Sequence, residues 1–163
     1  MLLSPLLLVR ILPVAEYGSY REFLVYFGML LPLVSFGIAR SLPYLIPKYP
    51  EKERNWITQT ALFVFMASSV TVLAIYPFGD LIRANASFDF VVPLQLYVFF
   101  FINLDFLELY WLGKKRVDLV LYYSTGRLVT RMILVVALAY LTRDARTIVL
   151  GLIVLEMVRW FLH

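Results

Sequence analysis

The longest uninterrupted stretch runs from Asn55 to Gly79, where no residue carries a charge. At helical rise it spans about 37 Å, enough to cross a hydrocarbon core of about 30 Å with some tilt. Trp56 at its start suits a membrane interface. Ala67, Ser68 and Ser69 form a small-residue patch of the kind that lets helices approach closely. Similar apolar runs follow at about Phe90–Leu112, Asp118–Leu141 and Thr147–His163. The polar segments Asp80–Asp89, Gly113–Arg116 and Thr142–Arg146 separate them. Upstream, an apolar region extends from about Ser19 to Ile46, with Pro32 predicted to kink it, because proline lacks the amide N–H and crowds the preceding turn. Its exit leads into Lys48–Asn55. The first run, Leu2–Val14, is broken by Pro5, Arg10 and Pro13. It is shorter than the 20 or so residues of a spanning helix, and the reading that fits it is the end of a truncated first helix. The pattern predicts an all-α integral membrane protein of about six transmembrane helices, a single transmembrane domain over residues 1–163, with the chain a fragment at both ends.

Composition points the same way. Hydrophobic residues make up 62% of the chain and charged ones 16%, against about 45–50% and about 25% in soluble domains. A surface this apolar belongs in lipid. The formal charge of +4 does not form a basic stripe with interleaved aromatics, so nucleic acid is not an expected partner. Membrane lipids are. Lys48, Lys52, Arg54, Lys114, Lys115 and Arg116 fall in the loops after the second and fourth helices. Arg21, Arg83, Arg143 and Arg146, with Arg10, fall on the opposite side. The excess favours a cytoplasmic face at Lys48–Asn55 and Gly113–Val117. Asn85-Ala86-Ser87 then lies outside, and as a three-residue sequon it is a chance match.

Several chemistries drop out. There is no cysteine, and the one histidine is His163, so thiol catalysis and His/Cys metal sites are excluded. No nucleotide-binding or nucleophile-elbow motif is present. No cofactor or metal is expected, and the chain reads as a non-enzyme. If it moves a substrate, an ion gradient or the substrate's own gradient drives it.

Four ionisable residues fall well inside the runs: Asp105 and Glu108 on the fourth helix, Arg127 and Arg131 on the fifth. Each such residue at a helix centre is disfavoured by about 2.5–3.5 kcal/mol unless paired or wet. Asp105 and Glu108 share a helix face, as do Arg127 and Arg131. Folding the two helices antiparallel about Lys115–Arg116 puts Asp105 and Arg127 at one depth. Two readings stand. In one, Asp105, Arg127 and Glu108 form a structural ion pair welding the hairpin. In the other, surplus positive charge in a hydrated cavity meets an anionic substrate, with Arg131 the leading contact because its mirror position is Phe101, and with Arg127 and Arg40 as companions. Snorkelling to the interface is the plainer account of Arg40. Glu156 and Arg159 are spaced to pair with each other, and Asn103 to join helices.

The segment Pro13-Val14-Ala15-Glu16-Tyr17-Gly18-Ser19-Tyr20 resembles the turn after the first helix of lipid-linked oligosaccharide flippases. These are the O-antigen and polysaccharide-biosynthesis transporters, which show Leu-Gly-Pro-x-x-Tyr-Gly-x-Tyr there. Here Leu12 leads into Pro13 with no glycine between. Ser35-Phe36-Gly37-Ile38-Ala39 with Tyr44-Leu45-Ile46-Pro47-Lys48-Tyr49 resembles that family's second helix and its basic exit. Tyr110-Trp111-Leu112-Gly113-Lys114-Lys115-Arg116 resembles its turn between helices four and five. The resemblance implies one lobe, the N-terminal one, of a two-lobed exporter of the multidrug-and-toxin-extrusion type. It further implies a multi-pass protein of the cytoplasmic membrane that flips polyprenyl-(pyro)phosphate-linked oligosaccharide by alternating access. Cavity arginines would then meet phosphate, and a C-terminal lobe or a second copy would complete the cavity. The alternative is a non-transporting membrane scaffold or assembly subunit whose buried charges only fix helix packing.

Overall fold

The computed structural model describes residues 3–35, 37–78 and 90–162, and within them the chain is all helix and turn. Seven α-helices are described: α1 (Leu3–Ile11), α2 (Val14–Ser35), α3 (Leu42–Lys48), α4 (Glu53–Ile75), α5 (Val91–Gly113), α6 (Val117–Thr142) and α7 (Ala145–Leu162). Among the described residues, three segments are long and apolar enough to cross a membrane: Pro50–Ile75, α5 and α6. The chain is a multi-pass membrane protein. The expected sequon at Asn85 and the loop around Arg83 lie outside the described residues.

The second apolar region does not run as one helix from Ser19 to Ile46. It begins earlier, at Val14, and α2 keeps Pro32 within it but stops at Ser35. Gly37 then takes a left-handed conformation at φ 69°, a short 3₁₀ turn follows at Ile38–Ser41, and α3 starts afresh with Pro43 in its first turn. Glycine reaches positive φ without steric cost, and proline is accommodated where a helix has no N–H bond to lose. The restart lets α3 cross the end of α5 at Gly113. A Cβ there would sit 3.0 Å from the Leu42 carbonyl oxygen and 3.2 Å from Pro43 Cα.

α5 is the central helix, packed against α2, α3, α4, α6 and α7. Of its apolar span 44% is buried, against 11% for α6. An aromatic stack joins it to α2: Phe27 lies 4.8 Å from Tyr97 and 4.9 Å from Phe101, and Phe23 lies 5.6 Å from Tyr97. Polar side chains join it to α4. The Asn103 amide donates to Ser68 Oγ at 3.0 Å, and the Gln95 amide donates to the Val72 carbonyl at 2.9 Å. In lipid, such bonds and close packing replace the hydrophobic drive between helices. α6 and α7 form a hairpin pressed together at Gly151, where a Cβ would run into the Leu138 side chain.

Ties at the two ends fix which loops share a side. At one end the Tyr110 hydroxyl donates to Glu53 Oε1 at 2.9 Å, and Lys114 Nζ pairs with the same oxygen at 2.8 Å. That bond holds Lys114 above the usual lysine range. The Lys48–Asn55 and Gly113–Val117 segments are thereby neighbours. At the other end, Glu16 Oε2 accepts from the Ala145 N–H at 2.9 Å, so the start of α2 meets the first turn of α7. A carboxylate at a helix N-terminus satisfies an otherwise unpaired N–H and complements the helix dipole. Asp144 caps the same helix, accepting from the Thr147 N–H at 3.1 Å and the Thr147 hydroxyl at 2.8 Å.

Candidate functional site

Helical spacing lines up the polar side chains of the bundle interior. Tyr97, Phe101, Asp105 and Glu108 follow one another at three- and four-residue steps on α5, as do Tyr123, Arg127 and Arg131 on α6 and Glu156 and Arg159 on α7. Asp105 lies eight residues before the end of α5 and Arg127 ten residues after the start of α6. Both are therefore about 12–15 Å from the turn that joins the helices.

The faces meet at Arg127. Its Nη1 donates to Asp105 Oδ1 at 3.1 Å and to Glu108 Oε1 at 3.4 Å, and its guanidinium carbon stands 4.0 Å from the Phe101 ring centroid. Arg159 comes from α7, donating through Nη1 to Glu156 Oε1 at 3.2 Å and through Nη2 to the Arg127 backbone carbonyl at 3.2 Å. Glu156 is completely buried, whereas the Asp105 and Glu108 side chains are 47% and 28% exposed. Among the described residues, the buried Arg127 Nη2, Glu156 Oε2 and Tyr97 hydroxyl have no hydrogen-bond partner.

Arg131, one turn further along α6, is half-buried. It stands 5.7 Å from the Tyr97 ring centroid and next to the buried Tyr20 hydroxyl of α2. Among the described residues it has no carboxylate within ion-pair distance. Arg40 is not part of this cluster. It is exposed in the Ile38–Ser41 turn and makes no described side-chain bond to Arg127 or Arg131.

The cluster as a whole carries no surplus of positive charge. Arg127, Arg131 and Arg159 face Asp105, Glu108 and Glu156, one acid for each base. Only Arg131 stands outside the ion pairs. A groove of about 470 Å³ runs between α4, α5 and α7, bordered by Ile57, Phe65, Asn103, Phe106 and Trp160. It is apolar and holds none of the cluster's charges.

Glu156 and Arg159 do pair, but their place in the larger cluster was not visible in their spacing. A charged pair within an apolar run was the available signal. Tyr20 and Tyr97, which flank Arg131, gave none, since aromatic residues are scattered through every helix.

A family model described as polysaccharide biosynthesis protein matches residues 2–162. No curated protein and no solved structure gives a significant match.

Proposed function

The chain belongs to the polysaccharide biosynthesis protein family, and we propose that it forms one helical lobe of a transporter that flips lipid-linked oligosaccharide across the cytoplasmic membrane. The substrate class is a sugar carried on a polyprenyl phosphate or diphosphate, moved by alternating access without nucleotide hydrolysis. The Lys48–Asn55 and Gly113–Val117 end faces the cytoplasm in this reading. A second lobe or a second copy of the chain completes the pathway.

One observation carries the proposal. Arg131 sits at intramembrane depth between two tyrosines, with no described carboxylate to neutralise it. A guanidinium binds phosphate oxygens in a bidentate, charge-assisted fork. Away from bulk water that attraction is stronger than in solution. Tyr20 and Tyr97 position the guanidinium, and its arginine neighbours Arg127 and Arg159 are already engaged in ion pairs.

The one-to-one balance of charges favours a second reading, in which the cluster only fixes helix packing in a membrane scaffold. Reconstitution separates the two. The native protein in proteoliposomes containing a fluorescent polyprenyl-diphosphate sugar is expected to flip it. Arg131→Ala abolishes flipping at unchanged protein level, and Arg131→Lys retains part of it. Flipping by Arg131→Ala at the native rate, or none by the native protein, overturns the proposal.

A further inference from the structure

The acids of the cluster fall into two kinds. Glu156 is enclosed and committed to Arg159. Asp105 and Glu108 hold Arg127 from the open side, both on Nη1, while Arg127 Nη2 is buried with no hydrogen-bond partner among the described residues. An exposed carboxylate at this depth is strongly disfavoured against acyl chains, so the face that shows Asp105 and Glu108 meets water or protein. Arg127 is a guanidinium, a group suited to phosphate, and here it is occupied by the protein's own anions.

We propose that Asp105 and Glu108 are specificity-determining residues, an acidic latch that keeps Arg127 engaged until a ligand carrying two linked phosphate charges displaces it. The inference rests on the transporter reading above. With Glu156 committed to Arg159, two arginines on one face of α6, Arg127 and Arg131, stand against two half-exposed carboxylates. A ligand with one phosphate charge can engage Arg131 but leaves the latch closed. A diphosphate engages Arg131 with one phosphate and presents the other to Arg127, replacing the carboxylates charge for charge. The displaced carboxylates are already partly exposed and rehydrate where they are, which the enclosed Glu156 cannot do. The latch therefore rejects singly charged phospholipid headgroups, which surround any site open to the bilayer, and admits diphosphates.

Trp111 reports on the site. Its ring packs edge-on against Tyr123 at 5.2 Å, one turn from Arg127. Tryptophan fluorescence of the native protein in detergent is titrated with dimethyl phosphate and symmetric dimethyl diphosphate, which carry one and two charges, and with a short-chain polyprenyl-phosphate sugar and polyprenyl-diphosphate sugar, which carry the same. The native protein is expected to prefer each diphosphate over its monophosphate by about tenfold or more. Asp105→Asn with Glu108→Gln is expected to tighten monophosphate binding about tenfold and erase the preference. If that double variant fails to fold, Asp105→Asn alone keeps an oxygen for Arg127 and is expected to shift the same way by a smaller factor.

Monophosphate affinity that is unchanged or weaker in the folded variant overturns the latch. So does a preference seen only with the lipid-linked pair, which would place selectivity in the tail. If Arg131→Ala abolishes binding while the acid variants change nothing, the latch falls and the phosphate-binding reading stands. If neither phosphate nor diphosphate binds the native protein, both fall.

Discussion

Replacing Glu156 by alanine tests whether the enclosed carboxylate anchors Arg159 and, through it, the α6–α7 hairpin. Glu156 is wholly buried and its Oε1 accepts from Arg159 at 3.2 Å. Removing one partner of a buried ion pair costs about 3–5 kcal/mol, chiefly because the other charge is stranded. Arg159 would keep its bond to the Arg127 carbonyl, which places the loss near about 3 kcal/mol. For a domain of this size that corresponds to a midpoint lower by about 9 °C. Glu156→Gln keeps an acceptor for Arg159 and should lose less. Glu156→Ala with Arg159→Ala removes the stranded charge, so the double variant should be more stable than the sum of the singles by about 2 kcal/mol. Thermal unfolding in detergent, followed through tryptophan emission, reads these shifts. Trp160 is a suitable reporter because its ring lies 6.0 Å from Phe100 across the α5–α7 contact. A Glu156→Ala midpoint within about 2 °C of the native protein, or singles that simply add to the double, would refute the pairing argument.

Three further outcomes are expected. A double-mutant cycle on Asp105→Ala and Arg127→Ala should give a coupling of about 1–2 kcal/mol, the range of a charge-assisted bond with one exposed partner; zero coupling would show that the 3.1 Å contact adds nothing. Gly113→Ala should destabilise the bundle by about 1–3 kcal/mol, because the new methyl meets the α3 backbone at Leu42 and Pro43 as well as the Ile46 side chain, and the backbone cannot turn away as a side chain can; native-like unfolding would show that α3 yields at that crossing. Asp144→Ala should lose about 1 kcal/mol of helix capping at neutral pH. The Thr147 hydroxyl and N–H hold the Asp144 carboxyl below the usual range, so its contribution is present above the unfolded-state value of about 3.9 and is lost as pH falls through the lower folded value. A gap between native and Asp144→Ala stability that persists undiminished in acid would contradict this.

Apolar runs and their separators were enough to place α5, α6 and α7 to within two residues of their observed ends, and α4 to within two at its start but four at its end, Ile75 rather than Gly79, because a chain in lipid must satisfy its backbone internally and helix is the local way to do so. Depth was legible too. Asp105 and Arg127 lie equally far from Arg116, and a rigid rise per residue turns that count into a common height, where the two meet at 3.1 Å. Rotation about each helix axis was not legible. These helices are apolar on all sides, and in lipid no polar stripe marks the outer face, so the pattern does not say which side turns inward. The Glu156–Arg159 pair was legible in its spacing, but packing decided that it sits beside Arg127 with Glu156 completely buried, that Tyr20 of α2 stands beside Arg131, and that Arg40 stays outside. It also decided the bond from Ala145 to Glu16, 129 positions apart. The break between α2 and α3 had local signals in Gly37 and Pro43. The contact that the break serves is Gly113 against the Leu42 carbonyl, an approach between backbones distant in the chain that exists only once the bundle has closed.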